Sequence, residues 1–333
     1  MKKYILFLIP LLFINTLYSQ VLYEETFDNY TLGSFYKGTG NWNFLGNVPE
    51  IVQEPNRGNV LAIRGNQVNT YAWQYVSQMW SNKTAGHNIL LVEYDVYYED
   101  FLNNNNVEQH NSELTLHGVT GGYLFRILFT RGYNYGGSPI AKSNVEVFFD
   151  NNILKKDYNN INFTKSWFTV KLYIDYDTNK KYVYIPALNI VKEEAMGATI
   201  SVLDRIAFGS RVIAANATGY TGVIAKYDNI RMEALKTLPQ ELIDAILSNN
   251  NEQLTAKFNL YPNPASNVVN ITNNENRLVN QVAIYDTAGK LIKTQSFNDQ
   301  TELRLNIENF ASGTYLLHLQ TAEGTAVKKL VKE

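Results

Sequence analysis

Apolar and polar residues alternate with a period of two along most of the chain, the pattern of strands that bury one face. Over residues 21–235 such runs cover 60–64, 71–78, 89–98, 113–117, 123–130, 144–149, 167–176, 181–185, 204–208 and 222–232. No long amphipathic helix separates them, so the pattern predicts a large two-sheet sandwich rather than a parallel α/β domain. A second set of shorter runs covers 258–261, 268–272, 281–285, 290–297, 303–307, 314–320 and 326–331. Seven short strands at that spacing predict a small β-sandwich over 258–333. Between the two sets, over 236–257, the period changes. Leu242, Ile243, Ile246 and Leu247 fall on one helical stripe, Thr237 can cap it and Pro239 suits its first turn. The segment is expected to be a linker with a short helix, open to proteases.

The punctuation of the second set has mechanical causes. Tyr261-Pro262-Asn263-Pro264 fixes two φ angles, and neither proline can donate to a ladder, so a strand must stop there. Asp286-Thr287-Ala288-Gly289-Lys290 reads as a hairpin loop with Gly289 in a left-handed conformation. Ser312-Gly313 turns the chain into Tyr315, Leu317 and Leu319, which share a face, and places His318 on the opposite one. Lys328 and Lys329 mark a solvated edge strand.

These segments, in this order and ending in the basic tail, resemble the type A C-terminal sorting domain of the type IX secretion system. The resemblance covers about the last 76 residues. It implies an immunoglobulin-like sandwich, handling by the secretion machinery and a sorting peptidase, and a protein released outside or held at the outer-membrane surface of a Gram-negative bacterium. The other end agrees. Lys2 and Lys3 precede an apolar stretch from Tyr4 to Leu17, and Tyr18-Ser19-Gln20 offers a small residue at a cleavage point. Residues 1–20 therefore read as a signal peptide. The run is too short to span a bilayer, and no transmembrane anchor is expected in the mature chain.

Composition narrows the chemistry. The formal charge of −2 argues against a nucleic-acid partner. The absence of Cys removes disulfides, thiolate metal sites and thiol nucleophiles, and four scattered His make a poor metal hydrolase.

The opening Glu25-Thr26-Phe27-Asp28, the strand around Glu93-Tyr94-Asp95 and the closing Tyr227-Asp228-Asn229-Ile230 resemble laminin-G or concanavalin-like jelly rolls. That resemblance implies glycan binding and, at Asp28 and Asp228, a structural calcium; no other cofactor is expected. For a glycan ligand, exposed planar aromatics should stack on sugar faces. Trp73 and Tyr75, with Tyr71 on the same strand face and Trp80 beyond, are one candidate set. Tyr133 and Tyr135, in a glycine-flanked loop, are another. The alternatives are a jelly-roll polysaccharide hydrolase or lyase and a non-enzymatic adhesin. Glu93 and Glu99 share strand parity as catalytic acids, but their spacing departs from the paired-acid strand of laminarinase-like enzymes. Glu113-Leu114-Thr115-Leu116-His117 does not reproduce the Gln-x-His strand of alginate lyases.

Overall fold

The structure is a computed structural model that describes residues 19–65, 70–98, 107–119, 122–132, 143–149, 152–159, 163, 165–196, 202–214, 224–273 and 275–333. The chain divides into two compact units, one up to Leu238 and one from Pro239.

The first unit is built from two antiparallel sheets. One runs, edge to edge, through Ile190–Ala195, Lys180–Ile185, Trp167–Asp175, Ile89–Tyr98, Ile224–Leu235, Gly58–Arg64, Glu50–Glu54 and Gly33–Ser34, with Ser19–Glu25 also paired to Ile224–Leu235. The other runs through Asn152–Asn159, Ser143–Phe149, Tyr123–Gly132, Val107–Gly118, Leu203–Ala214, Thr70–Tyr75 and Asn43–Leu45. Alternation decides which side chains meet in the core. Val92, Tyr94, Val96 and Tyr98 point inward from the first sheet, and Leu114, Leu116, Phe125, Ile127, Ile206 and Phe208 from the second. Tyr94 meets Phe208 edge-on at 5.4 Å between ring centroids, which ties the sheets together at the centre. Burying each such large apolar side chain stabilises the fold by about 1.5–3 kcal/mol.

The predicted strands are present, several with longer ends. The run 204–208 grows to Leu203–Ala214, and 113–117 grows to Val107–Gly118. The run 71–78 stops at Tyr75 and passes into a short helix, Ser77–Ser81. The pattern did not mark Ser19–Glu25, Gly33–Ser34, Asn43–Leu45, Glu50–Glu54, Asn152–Asn159 and Ile190–Ala195.

The second unit carries seven strands in sheets of three and four, ordered Phe258–Tyr261, Val268–Asn273, Leu303–Asn306 and Leu291–Gln300, Val279–Asp286, Gly313–Thr321, Gly324–Lys332. All seven sequence runs fall on them. Phe258, Val269, Ile271, Val282, Ile284, Leu317, Leu319 and Leu330 fill the core between the sheets. The helix of the predicted linker spans Gln240–Ala256, with Pro239 rather than Thr237 at its cap position. It packs on the second unit instead of standing free: Leu254 is buried in that core, and Thr255 Oγ1 accepts the Val327 amide at 2.8 Å.

Candidate functional site

The outward face of the seven-stranded sheet holds an open cleft of roughly 450 Å³ lined by Leu45, Tyr71, Trp73, Glu113, Thr115, His117, Tyr123, Arg205 and Ala207. Register explains its shape. Tyr71, Trp73 and Tyr75 alternate outward on Thr70–Tyr75, facing Gly209, Ala207 and Arg205 on the neighbouring strand. On the far side of that strand, Gly209, Ala207 and Arg205 face Glu113, Thr115 and His117. A row of two small residues thus runs between two rows of large ones; the floor drops at Ala207, and the Tyr71 ring lies over Gly209. Thr115 in turn pairs with Arg126 on Tyr123–Gly132.

The cleft's charges are arranged by hydrogen bonds. Glu113 is almost fully buried, and Arg126 grips its carboxylate with both arms, Nε to Oε1 at 2.8 Å and Nη2 to Oε2 at 3.3 Å. Tyr71 donates its hydroxyl to Glu113 Oε2 at 3.2 Å. Burial, then the carboxylate's charge, keeps that phenol above its ordinary range, so it stays a donor. The His117 ring nitrogens face Thr115 Oγ1 at 3.0 Å through Nε2 and Arg205 Nη2 at 3.5 Å through Nδ1. Guanidinium can only donate, so Nδ1 is the bare nitrogen and Nε2 carries the hydrogen to Thr115. Burial, and then the Arg205 charge, lower the His117 pKa to about 4, so the ring is neutral at pH 7. Its ring lies 4.8 Å from that of Tyr123.

The sequence-selected residues divide between this face and others. Trp73 lies in the cleft, and Tyr75 stands exposed one step along the same strand face. Trp80 is instead buried in the core, because the chain turns into helix before it. Tyr133, Tyr135 and Glu99 lie outside the described residues. Glu93 faces outward from the other sheet, 3.5 Å from Lys171 Nζ. Glu113, Thr115 and His117 enter the sequence reading only against the alginate-lyase strand and are set aside, and Tyr123 and Arg205 are not singled out there. The alternation of Glu113, Thr115 and His117, opposite small residues at 207 and 209, was the available signal.

Asp28 and Asp228 lie near one another on the other sheet, where an internal cation bridges Asp228 to Asp95. Arg57 donates from Nη1 to Asp228 Oδ2 at 3.0 Å and from Nη2 to Asp95 Oδ2 at 2.6 Å. Its guanidinium stacks on Trp167 at 4.1 Å. Asp95 also accepts from Thr169 at 2.6 Å and Asn229 at 2.8 Å, and Asp28 Oδ1 accepts the Asn59 amide at 2.9 Å. Among the described residues, no group of three acids or histidines is placed to hold a metal ion. With the guanidinium between Asp95 and Asp228, these residues do not fit the calcium expected there. Asp228 Oδ1 is buried with no hydrogen-bond partner among the described residues, and desolvation raises the Asp228 pKa to about 6.

In the second unit the motif residues hold turns and edges. Tyr261-Pro262 and Asn263-Pro264 both carry cis peptide bonds. Asn263 ties that turn to the last strand, donating to the Lys329 carbonyl at 2.9 Å and accepting the Val331 amide at 2.8 Å. Asp286 Oδ1 accepts the amides of Ala288 and Lys290, both at 2.9 Å, and Gly289 takes a positive φ of 82°. Gly313 opens the next strand, where Tyr315 donates its hydroxyl to the Ala311 carbonyl at 2.8 Å. Lys328 reaches the Thr255 carbonyl at 3.3 Å, while Lys329 stays exposed.

Residues 259–333 match the family model described as a secretion system C-terminal sorting domain. The second unit is such a sorting domain, and the protein is secreted or displayed at the cell surface through type IX secretion. Among the described residues, no helix is long and apolar enough to cross a membrane. Among curated proteins, no relative matches the sequence. Similar solved structures include the CBM2 module of the evolved Dit of Lactobacillus casei BL23 phage J-1, at 7% identity and TM-score 0.43, covering 66% of this chain and 98% of that one. The carbohydrate recognition domain of Emp47p is similar at 11% identity and TM-score 0.39, covering 65% and 94%. An alginate lyase from Alteromonas sp. 272 is similar at 12% identity and TM-score 0.33, covering 51% and 81%.

Proposed function

We propose that the first unit is a saccharide-binding module, carried out of the cell by the sorting domain, and that the cleft on the seven-stranded sheet is its site. The observation that carries this reading is the three-row floor of the cleft. Trp73 stands beside a trough at Ala207, Tyr71 lies over Gly209 at its end, and Glu113, Thr115 and His117 stand opposite. Sugars are bound by planar apolar faces with polar groups to bond their hydroxyls, and a volume of roughly 450 Å³ lies inside the usual range of about 300–1,000 Å³ for ligand sites.

The same geometry favours binding over turnover. Glycoside hydrolysis needs two carboxyl groups about 5–10 Å apart. Among the described lining residues Glu113 is the one carboxylate, and both its oxygens are held by Arg126 and Tyr71. A general base at His117 would need Nδ1, which already faces Arg205.

The test is to apply the full mature chain to a panel of polysaccharides, follow binding, and assay the same panel for new reducing ends or unsaturated products. Binding without product, weakened about tenfold or more by Trp73→Ala, is expected. Product formation would replace the module with an enzyme. Binding to whole cells with none to any glycan would replace it with a protein-binding adhesin.

A further inference from the structure

Within the reading of the cleft as a saccharide site, we infer that its ligand is an acidic saccharide, whose anionic group is met by Arg205. The charge census of the cleft decides this. Glu113 and Arg126 neutralise one another through two hydrogen bonds. His117 supplies no charge at neutral pH. Arg205 is left with a full positive charge, half-buried on the cleft wall. Its one hydrogen-bond contact among the described residues is the long 3.5 Å approach to the neutral His117 ring. No carboxylate among the described residues pairs with it.

A half-buried guanidinium with no carboxylate partner among the described residues, at the edge of an open cleft, is free to meet an anionic group of the ligand. Its planar fork matches a carboxylate bidentately, and a sulfate ester offers the same acceptor oxygens in tetrahedral form. The surroundings extend the match. Trp73 and Tyr71 line the neighbouring strand, two and four residue pairs along from the Tyr75–Arg205 pair, and the Thr115 hydroxyl faces them from the other side of Ala207. A sugar ring lying over Ala207 would then set its acid group toward Arg205 and its face toward the aromatics.

The experiment uses the full mature chain and four oligosaccharide probes of equal length: a polyuronate, its fully methyl-esterified form, a sulfated neutral-sugar oligomer, and the unsulfated oligomer. Affinities are measured by calorimetry for the wild type, Arg205→Gln and Arg205→Lys, with thermal unfolding to check that each variant is folded. The polyuronate or the sulfated probe should bind at least about tenfold more tightly than its uncharged counterpart. Which acidic probe wins distinguishes carboxylate from sulfate as the recognised group. Arg205→Gln should erase that preference, and Arg205→Lys should restore part of it. Equal binding of charged and uncharged probes, or equal losses for both in Arg205→Gln, would overturn the acidic ligand and leave the saccharide site standing. Failure of all four probes to bind would overturn both.

Discussion

Gly209 and Tyr71 face each other across the junction of strands Leu203–Ala214 and Thr70–Tyr75, with the tyrosine ring where a larger residue's side chain would stand. A Cβ on Gly209 would meet Tyr71 Cε1 at 2.5 Å and Cδ1 at 2.6 Å. The glycine is what lets the phenol lie across the trough and reach Glu113. Gly209→Val should therefore displace Tyr71 and abolish saccharide binding. Overpacking of this kind costs about 1–3 kcal/mol, so the variant should remain folded. Calorimetric binding together with thermal unfolding checks it, and unchanged affinity would dissociate Tyr71 from the site.

Glu113 is tied to two groups at once. Glu113→Gln keeps the shape but removes the charge that Arg126 grips, leaving a half-buried guanidinium without its ion pair. The expected loss of stability is about 2–3 kcal/mol. Denaturant titration reads it, and Glu113→Gln combined with Arg126→Met should be less damaging than the two single losses added together.

The junction at Arg57 predicts that metal ions are irrelevant to stability. Melting temperature should be the same in chelator and in millimolar calcium. Arg57→Met should cost about 3 kcal/mol, because it leaves Asp95 and Asp228 buried beside each other without a counter-charge. A calcium-dependent melting temperature in the wild type would show that the acids take an ion after all.

Two buried groups give opposing pH dependences. The folded-state pKa of Asp228, about 6, lies above its ordinary 3.8, so the folded state holds this proton longer than the unfolded state. The group therefore costs stability as pH rises from about 4 to 6. His117 falls from 6.5 to about 4 in the folded state, so its contribution is complete above 6.5 and is lost as pH falls toward 4. Asp228→Asn should gain on the wild type as pH rises through that window. His117→Gln should gain on it as pH falls. Urea titrations at pH 4.5 and 6.5 measure both, and no change in either difference would refute the environments described.

The sorting domain should be separable in function. Deleting 258–333 should trap the first unit in the periplasm, read by cell fractionation. Leu254→Ala in the packed helix should destabilise the second unit by about 2–4 kcal/mol.

The seven C-terminal strands were legible because each is short, alternates cleanly and is bounded by residues with fixed backbone habits, such as Pro262, Pro264 and Gly289. In the first unit, the inward residues of Ile89–Tyr98 could be read from alternation alone, and so could the shared face of Tyr71, Trp73 and Tyr75. The cleft could not. Its shape depends on Gly209 standing opposite both Tyr71 and Glu113, a relation of strand register to two residues that each lie more than ninety positions earlier in the sequence. The Arg57 bridge beside Asp28 and Asp228 escaped the sequence for a related reason. Both acids were visible in the opening and closing motifs, but Arg57 comes from a turn that neither motif contains.

That turn has a further consequence for a protein working outside the cell. An acidic polysaccharide of the kind proposed would compete for divalent cations through its own anionic groups. A counter-charge supplied by Arg57 is part of the chain and cannot be drawn off in that way.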